Sequence, residues 1–148
     1  MATLVENKRA HLKYAALETF AAGIVLSGQE VKALRNKLGS MEGSRIIVRG
    51  GEAFLVGMTI PPYQSANAAK DYEPERPRKL LLNKKEIAQL ADAESRRGLT
   101  TVPFEVYTAA RNVKVKVAIV RGKGKADRRE DLKRRDADRE RERLLKTR

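Results

Sequence analysis

The residues of this 148-residue chain that could do chemistry are nearly all cations. Asn7-Lys8-Arg9, then Arg76, Arg78 and Lys79, then Lys114 and Lys116, then Arg121, Lys123 and Lys125 form clusters drawn from separate parts of the chain. Each alone is consistent with a solvated face. Brought to one surface, they would hold a phosphate backbone, whose counterions are released as lysine and arginine replace them. Lys+Arg number 32 against 19 Asp+Glu, a formal net charge of +13, and an excess of that size selects a polyanionic partner. Tyr14, Tyr63, Tyr72 and Phe20 could stack on bases or serve the core. Aromatic residues make up only 5% of the chain, which favours recognition of shape and phosphate over a stacking reader.

Catalytic chemistry has little to stand on. His11 is the only histidine and cysteine is absent, so histidine-rich and thiolate metal sites, disulfides and a histidine–cysteine dyad are excluded. No G-x-x-x-x-G-K-[ST] phosphate loop occurs, and Ser27, Ser40, Ser44 and Ser65 have no base in view. The expectation is a protein that is not an enzyme, with no catalytic residue, metal or cofactor. Without an apolar run near the ~20 residues of a membrane span, or a secretory h-region at the N-terminus, it is read as a cytoplasmic protein, not attached to a membrane, and monomeric.

The elements that position these cations are mainly strands. Met1 to Arg9 reads as a polar lead-in, and Tyr14 to Leu26 as a strand with room for a bend at Ala21, Ala22 and Gly23. In Gln29 to Leu38, Val31, Leu34 and Leu38 recur at helical spacing with Glu30, Lys32, Arg35 and Lys37 on other faces, and Gly39 is placed to stop the helix. Arg45 to Arg49 and Glu52 to Ile60 are strands joined by Gly50-Gly51, a two-residue hairpin signal. The stretch to Lys79 reads as loop. Asn83 with Glu86 has the form of a capping box opening a helix on which Ile87, Leu90 and Ala91 share a face, stopped near Gly98. Leu99 to Tyr107 and Val113 to Val120 are strands, the second with Val113, Val115, Val117 and Ile119 to one side and Lys114 and Lys116 to the other. About five strands with two inserted helices predict a mainly β fold with short helices, an OB-fold-like β-barrel over residues 1–120.

Residues 121–148 form a basic C-terminal tail. Beyond alanine its apolar side chains are Leu132, Leu144 and Leu145, too few to offset the entropy of ordering the segment. The expectation is a tail disordered when free and helical when docked. Glu130 with Arg134, Asp131 with Arg135, and Glu142 with Lys146 place acid before base at i,i+4, each pair adding only ~0.2–0.5 kcal/mol.

The blocks AGIVLSGQEVKALR, RPRKLLLNKKEI and VKVKVAIVRGKGK, in this order, resemble the SsrA-binding protein (small protein B) family of bacteria, and the likeness runs from Asn7 into the tail. The resemblance implies an OB-fold adaptor that binds the tRNA-like domain of transfer-messenger RNA. It would deliver that RNA to stalled 70S ribosomes, with the tail in the empty mRNA channel at the small-subunit decoding centre. By position, the resemblance places RNA contacts at Asn7, Lys8, Arg9, Tyr14, Arg76, Arg78, Lys79, Leu81, Lys114, Arg121, Lys123 and Lys125. It places ribosome contacts at Ala126, Asp127, Arg128, Arg129, Lys133, Arg134 and Arg135. For Glu30, Lys32 and Arg35, capping or packing competes with RNA contact. The chain departs from the family pattern where Ala21 replaces an acid, where Leu12 and Lys13 stand before Tyr14, and where Ala126 replaces a histidine or aromatic ring. Two other readings stand beside the adaptor: a general nucleic-acid-binding module of the same fold, and a ribosome-associated structural protein.

Overall fold

The computed structural model describes residues 2–64, 72–122 and Arg139. In chain order these carry β1 (Ala2–Glu6), α1 (Lys8–Lys13), β2 (Tyr14–Ile24), α2 (Gly28–Arg35), β3 (Arg45–Arg49), β4 (Glu52–Val56), β5 (Arg78–Leu81), α3 (Lys84–Ser95), β6 (Leu99–Ala109) and β7 (Asn112–Gly122). The strands form one antiparallel sheet in the order β1-β6-β7-β2-β5-β4-β3, which curls until β3 lies against β6 as an OB-like barrel. Three elements escaped the sequence reading. β1 and α1 lie in what reads as a polar lead-in, and β5 lies in what reads as the end of a loop followed by a helix start.

Inside the roll, Val115, Val117 and Ile119 of β7 meet Phe20, Leu55 and Val106 in the main core. The period-2 reading of β7 holds there, with Lys114 and Lys116 outward. Past Lys116 it fails, because Ala118 and Val120 are buried as well. They pack with Val102, Phe104 and Ala10 of α1 in a second, smaller core on the opposite face. A short helix is enough to bury that end of the sheet on both sides.

Local chemistry explains the boundaries. The Gly50-Gly51 turn has φ of 60° and 74° and closes on Arg49↔Glu52, a geometry glycine adopts without a Cβ clash. α3 opens on the expected capping box, with the Glu86 N–H donating to Asn83 Oδ1 at 2.8 Å and the Asn83 N–H to Glu86 Oε1 at 3.1 Å. Its inward face uses Leu90 and Ala93 with Ile87, and Ala91 is exposed. α2 has a second capping box, Ser27 with Glu30, which the S-x-x-E spacing carries and the sequence reading passed over. α2 ends before Gly39. Lys37 takes the left-handed position at φ 62°, the Leu38 N–H donates to Ala33 O, and the Lys37 N–H donates to Leu34 O, a Schellman closure. A glycine there would lack what Lys37 supplies, an ammonium 2.6 Å from Thr3 O on β1.

The bend in β2 also lies elsewhere than expected. Its register slips between Ala16 and Glu18, whereas Gly23 stays in register. Gly23 is small for another reason: a Cβ there would lie 3.2 Å from Leu81 Cβ.

The β6–β7 turn uses Ala110 at φ 54°, where a non-glycine residue carries a cost. Ala110→Gly is therefore expected to stabilise the chain by about 1 kcal/mol, read as a higher urea midpoint at constant slope. A lower midpoint would show that the Ala110 methyl group makes a contact worth more than the strain.

Candidate nucleic-acid interface

The site is best built outward from β7, because its register fixes which cations share a face. Lys114 and Lys116 have the same parity as Ala118 and Val120, so they lie on the face that α1 covers further along. Gly23 pairs with Lys114 on one side and with Leu81 on the other. Leu81 is 55% exposed and leans over Gly23, and Lys79 follows two residues away on the same face of β5. One outer face thus carries Lys79, Leu81, Lys114 and Lys116, and it runs on to α1 with Lys8, Arg9 and Lys13 exposed. Lys79 is only loosely engaged, its Nζ 3.0 Å from the exposed Glu52 carboxylate.

At the α1 end a cleft of about 640 Å³ opens between the helix, residues 43–45 and the start of β6. Arg9, Lys13 and Arg45 line it together with Tyr14 and Val102. Arg9 reaches Glu42 across it at 2.6 Å, and the Lys13 ammonium lies 5.3 Å from the Tyr14 ring centroid. His11 stacks on Phe104 with centroids 4.4 Å apart, which ties α1 to β6. Its ring is used in packing.

Two of the expected contact residues are not on the surface. Asn7 is buried: its side chain caps α1 through the Ala10 N–H and donates to Pro103 O at 2.8 Å. Arg78 has no exposed surface at all. Its Nε donates to Glu30 Oε2 at 2.7 Å, and its two terminal nitrogens donate to Met58 O at 2.7 Å and Pro74 O at 2.8 Å. A guanidinium committed in this way cannot meet a phosphate. The alternation along β5 carries the signal: Arg78 and Leu80 point in, Lys79 and Leu81 out.

Glu30, placed by sequence on an outer helix face, is the centre of this arrangement at 1% exposure. It accepts from Arg78, from Arg76 and from the Ser27 N–H. Burial pushes its carboxyl up, but the hydrogen bonds from Arg76, Ser27 and Arg78 and the charge of Arg78 outweigh that and hold it below its ordinary value. Arg76 bridges inside and outside: it pairs with Glu30, reaches Val25 O at 3.3 Å and keeps a third of its side chain exposed. Tyr72 donates to Ile60 O at 2.7 Å beside the group, and burial followed by the negative charge of Glu30 pushes its phenol up.

Arg121 is exposed, but by register it falls on the parity of Val117 and Ile119, so it sits at the strand end away from the Lys114 face. Lys123, Lys125, Ala126, Asp127, Arg128, Arg129, Lys133, Arg134 and Arg135 lie outside the described residues, and so does the expected disorder-to-helix change of the tail. Among the described residues no group of three or more His, Cys, Asp or Glu side chains is placed to hold a metal ion, and no helix is long and apolar enough to cross a membrane.

Known proteins share this sequence and this sheet. An SsrA-binding protein of Chelativorans sp. (strain BNC1) is 46% identical over 147 residues, covering 99% of this chain and 94% of that protein. One of Thermosipho africanus is 43% identical over 147 residues, covering 99% and 98%. A solved chain described under the words "tmRNA-SmpB: a journey to the center of the bacterial ribosome" superposes with a TM-score of 0.69 at 39% identity, over 82% of this chain and 85% of that one. The family model described as SmpB protein matches residues 4–147. With that coverage added to the barrel and its cationic face, the chain belongs to the SmpB, or SsrA-binding protein, family.

Proposed function

We propose that this protein is the RNA-binding adaptor of trans-translation: it holds the tRNA-like domain of transfer-messenger RNA and brings it to stalled ribosomes in the cytoplasm, acting as a monomer and without catalysis. The observation that carries the reading is the likeness, in sequence and sheet alike, to a chain solved under the name tmRNA-SmpB. The outer face supports it physically. Lys8, Arg9, Tyr14, Lys79, Leu81 and Lys114 are the residues we assign to RNA, with Lys116 and the exposed part of Arg76 beside them. An exposed leucine among lysines gives a face that can take a sugar or base edge while its neighbours hold phosphates. Asn7 and Arg78 serve the same surface from behind, one by fixing α1 and the other by fixing Glu30 and through it Arg76. We divide the chain into an RNA-binding barrel over 1–120 and a basic tail over 121–148. Lys123, Lys125 and the segment from Ala126 to Arg135 would meet the ribosome, in the mRNA channel near the decoding centre.

The direct test is the RNA that copurifies from a bacterial lysate. Enrichment of transfer-messenger RNA is the expected result. Indiscriminate RNA would favour a general nucleic-acid-binding module, and stoichiometric retention on translating ribosomes a structural protein. A second test addresses the face itself. Replacing Lys79, Lys114 and Lys116 by alanine should shrink the log–log slope of affinity against salt by roughly 2–3 units if three phosphate contacts vanish. An unchanged slope would move the RNA to another surface.

A further inference from the structure

Four residues far apart in the chain meet in one row across the outer face. By register Leu81 of β5 lies opposite Gly23 of β2, Gly23 opposite Lys114 of β7, and Lys114 opposite Tyr107 of β6. Side chains directly opposite one another stand on the same side of a sheet. The adjacent row fixes the direction: Ala22, Val115 and Val106 pair in the same order and are fully buried in the main core. Tyr107 therefore faces outwards with Lys114, at one end of a row whose other end is the exposed Leu81. With strands about 4.8 Å apart, the row spans about 14 Å.

Tyr107 is half-buried. Among the described residues its hydroxyl has no hydrogen-bond partner and its ring no aromatic or cationic neighbour. Most other rings are engaged. Phe20 fills the main core, Phe104 stacks on His11, the Tyr14 ring carries the Lys13 ammonium, and Tyr72 donates to Ile60 O. Phe54 stands opposite Lys79 much as Tyr107 stands opposite Lys114, but Lys79 is paired with Glu52. Lys114 has no ion pair among the described residues. A free ring beside a free ammonium suits a nucleotide: the ring takes the base by stacking, and the cation takes the adjoining phosphate. In a duplex each base is covered by its neighbours, so such a ring meets only a base that a loop or bulge leaves unstacked.

We infer that Tyr107 is a stacking platform for one unpaired base of the bound RNA, with Lys114 on the phosphate beside it. The inference rests on the RNA-binding reading and deepens it, since the face then selects a loop nucleotide as well as phosphates. The low aromatic content does not oppose this, because a single ring in the right row is enough.

The test uses the full chain and two probes, a transcript of the tRNA-like domain of transfer-messenger RNA and a plain RNA duplex of similar length. Tyr107→Leu keeps the apolar bulk of the side chain and removes the plane. It should weaken binding to the transcript about tenfold, as expected for one lost stack. The log–log salt slope should not change, because no phosphate contact is lost, and duplex binding should stay as it was. Tyr107→Phe should bind like the parent. The chain has no tryptophan, so Tyr107→Trp introduces a single indole, whose fluorescence the transcript should quench and the duplex should not. Equal affinity of the parent and Tyr107→Leu, or an indole that the transcript leaves unquenched, would overturn the inference and leave the RNA-binding reading in place. A reduced salt slope in Tyr107→Leu would also overturn it, by showing that the ring serves only to hold Lys114. A parent that binds neither probe would overturn the RNA-binding reading itself, and this inference with it.

Discussion

Glu30→Ala should be among the most damaging single substitutions in the barrel, lowering stability by roughly 3–5 kcal/mol, because it strands the Arg78 guanidinium without a counter-charge. Arg78 has no exposure through which water could replace the carboxylate, and its remaining bonds go to the uncharged carbonyls of Met58 and Pro74. The Ser27 N–H loses its Glu30 acceptor as well, which leaves the capping box at the start of α2 with only the Ser27 Oγ bond to the residue-30 N–H. A fall of about 10 °C or more in Tm is expected for a domain of this size. Removing both charges, as Glu30→Leu with Arg78→Met, should recover much of the loss, since an apolar replacement avoids the unpaired charge. Full recovery is not expected, because the buried Met58 carbonyl loses the donor that Arg78 supplied, whereas the Pro74 carbonyl still accepts from the Ile60 N–H. The folded carboxyl lies below its ordinary value of 4.5, so its contribution is complete above that pH and fades as pH falls through the folded value. Glu30→Gln should therefore flatten the acid limb of the stability profile. A Glu30→Ala chain that melts within a degree or two of the parent would show that the pair adds nothing to folding.

The same cluster marks where sequence reasoning reaches and where it stops. The alternation of Val113 to Ile119, the Gly50-Gly51 turn and the Asn83 box are local patterns, and local patterns suffice for β7, the β3–β4 hairpin and α3. β5 has only four residues, Arg78–Leu81, and begins on an arginine, so neither length nor hydrophobicity announces a strand. Its inward arginine becomes intelligible only once Glu30, 48 positions earlier, is known to lie beside it. The lead-in hides its structure for a related reason: α1 is six residues long and is held by Ala10 packing on Phe104 and Val102, not by its own periodicity. Charge content identified the kind of partner, and register was needed to say which cations share a face. Arg76-x-Arg78-Lys79 reads as one basic cluster in the chain, yet it separates into a bridge, a buried ion and a surface lysine in the fold.

Truncation after Gly122 should leave the barrel folded and binding free RNA while rescue of stalled ribosomes is lost. Among the described residues both cores close with residues up to Val120. Residues 123–148 carry three leucines and no aromatic ring, so removing them deletes little apolar area that folding could have used. Tm is accordingly expected to move by no more than a degree or two. Free-RNA affinity should weaken modestly and mainly at low salt, since a dense basic segment contributes non-specific attraction that screening removes. Tagging at stalled ribosomes is expected to fall to background, because the barrel would bring the RNA without the segment proposed to enter the empty message channel. Residue 126 refines the expectation. The family resemblance puts a histidine or aromatic ring at the position of Ala126, and base–aromatic stacking contributes ~1–3 kcal/mol per contact. Ala126→His or Ala126→Tyr in the full chain should therefore raise tagging and leave free-RNA affinity nearly unchanged. Undiminished tagging by the truncated chain would overturn the division of labour between barrel and tail. A large loss of thermal stability would instead make residues 123–148 part of the folded body.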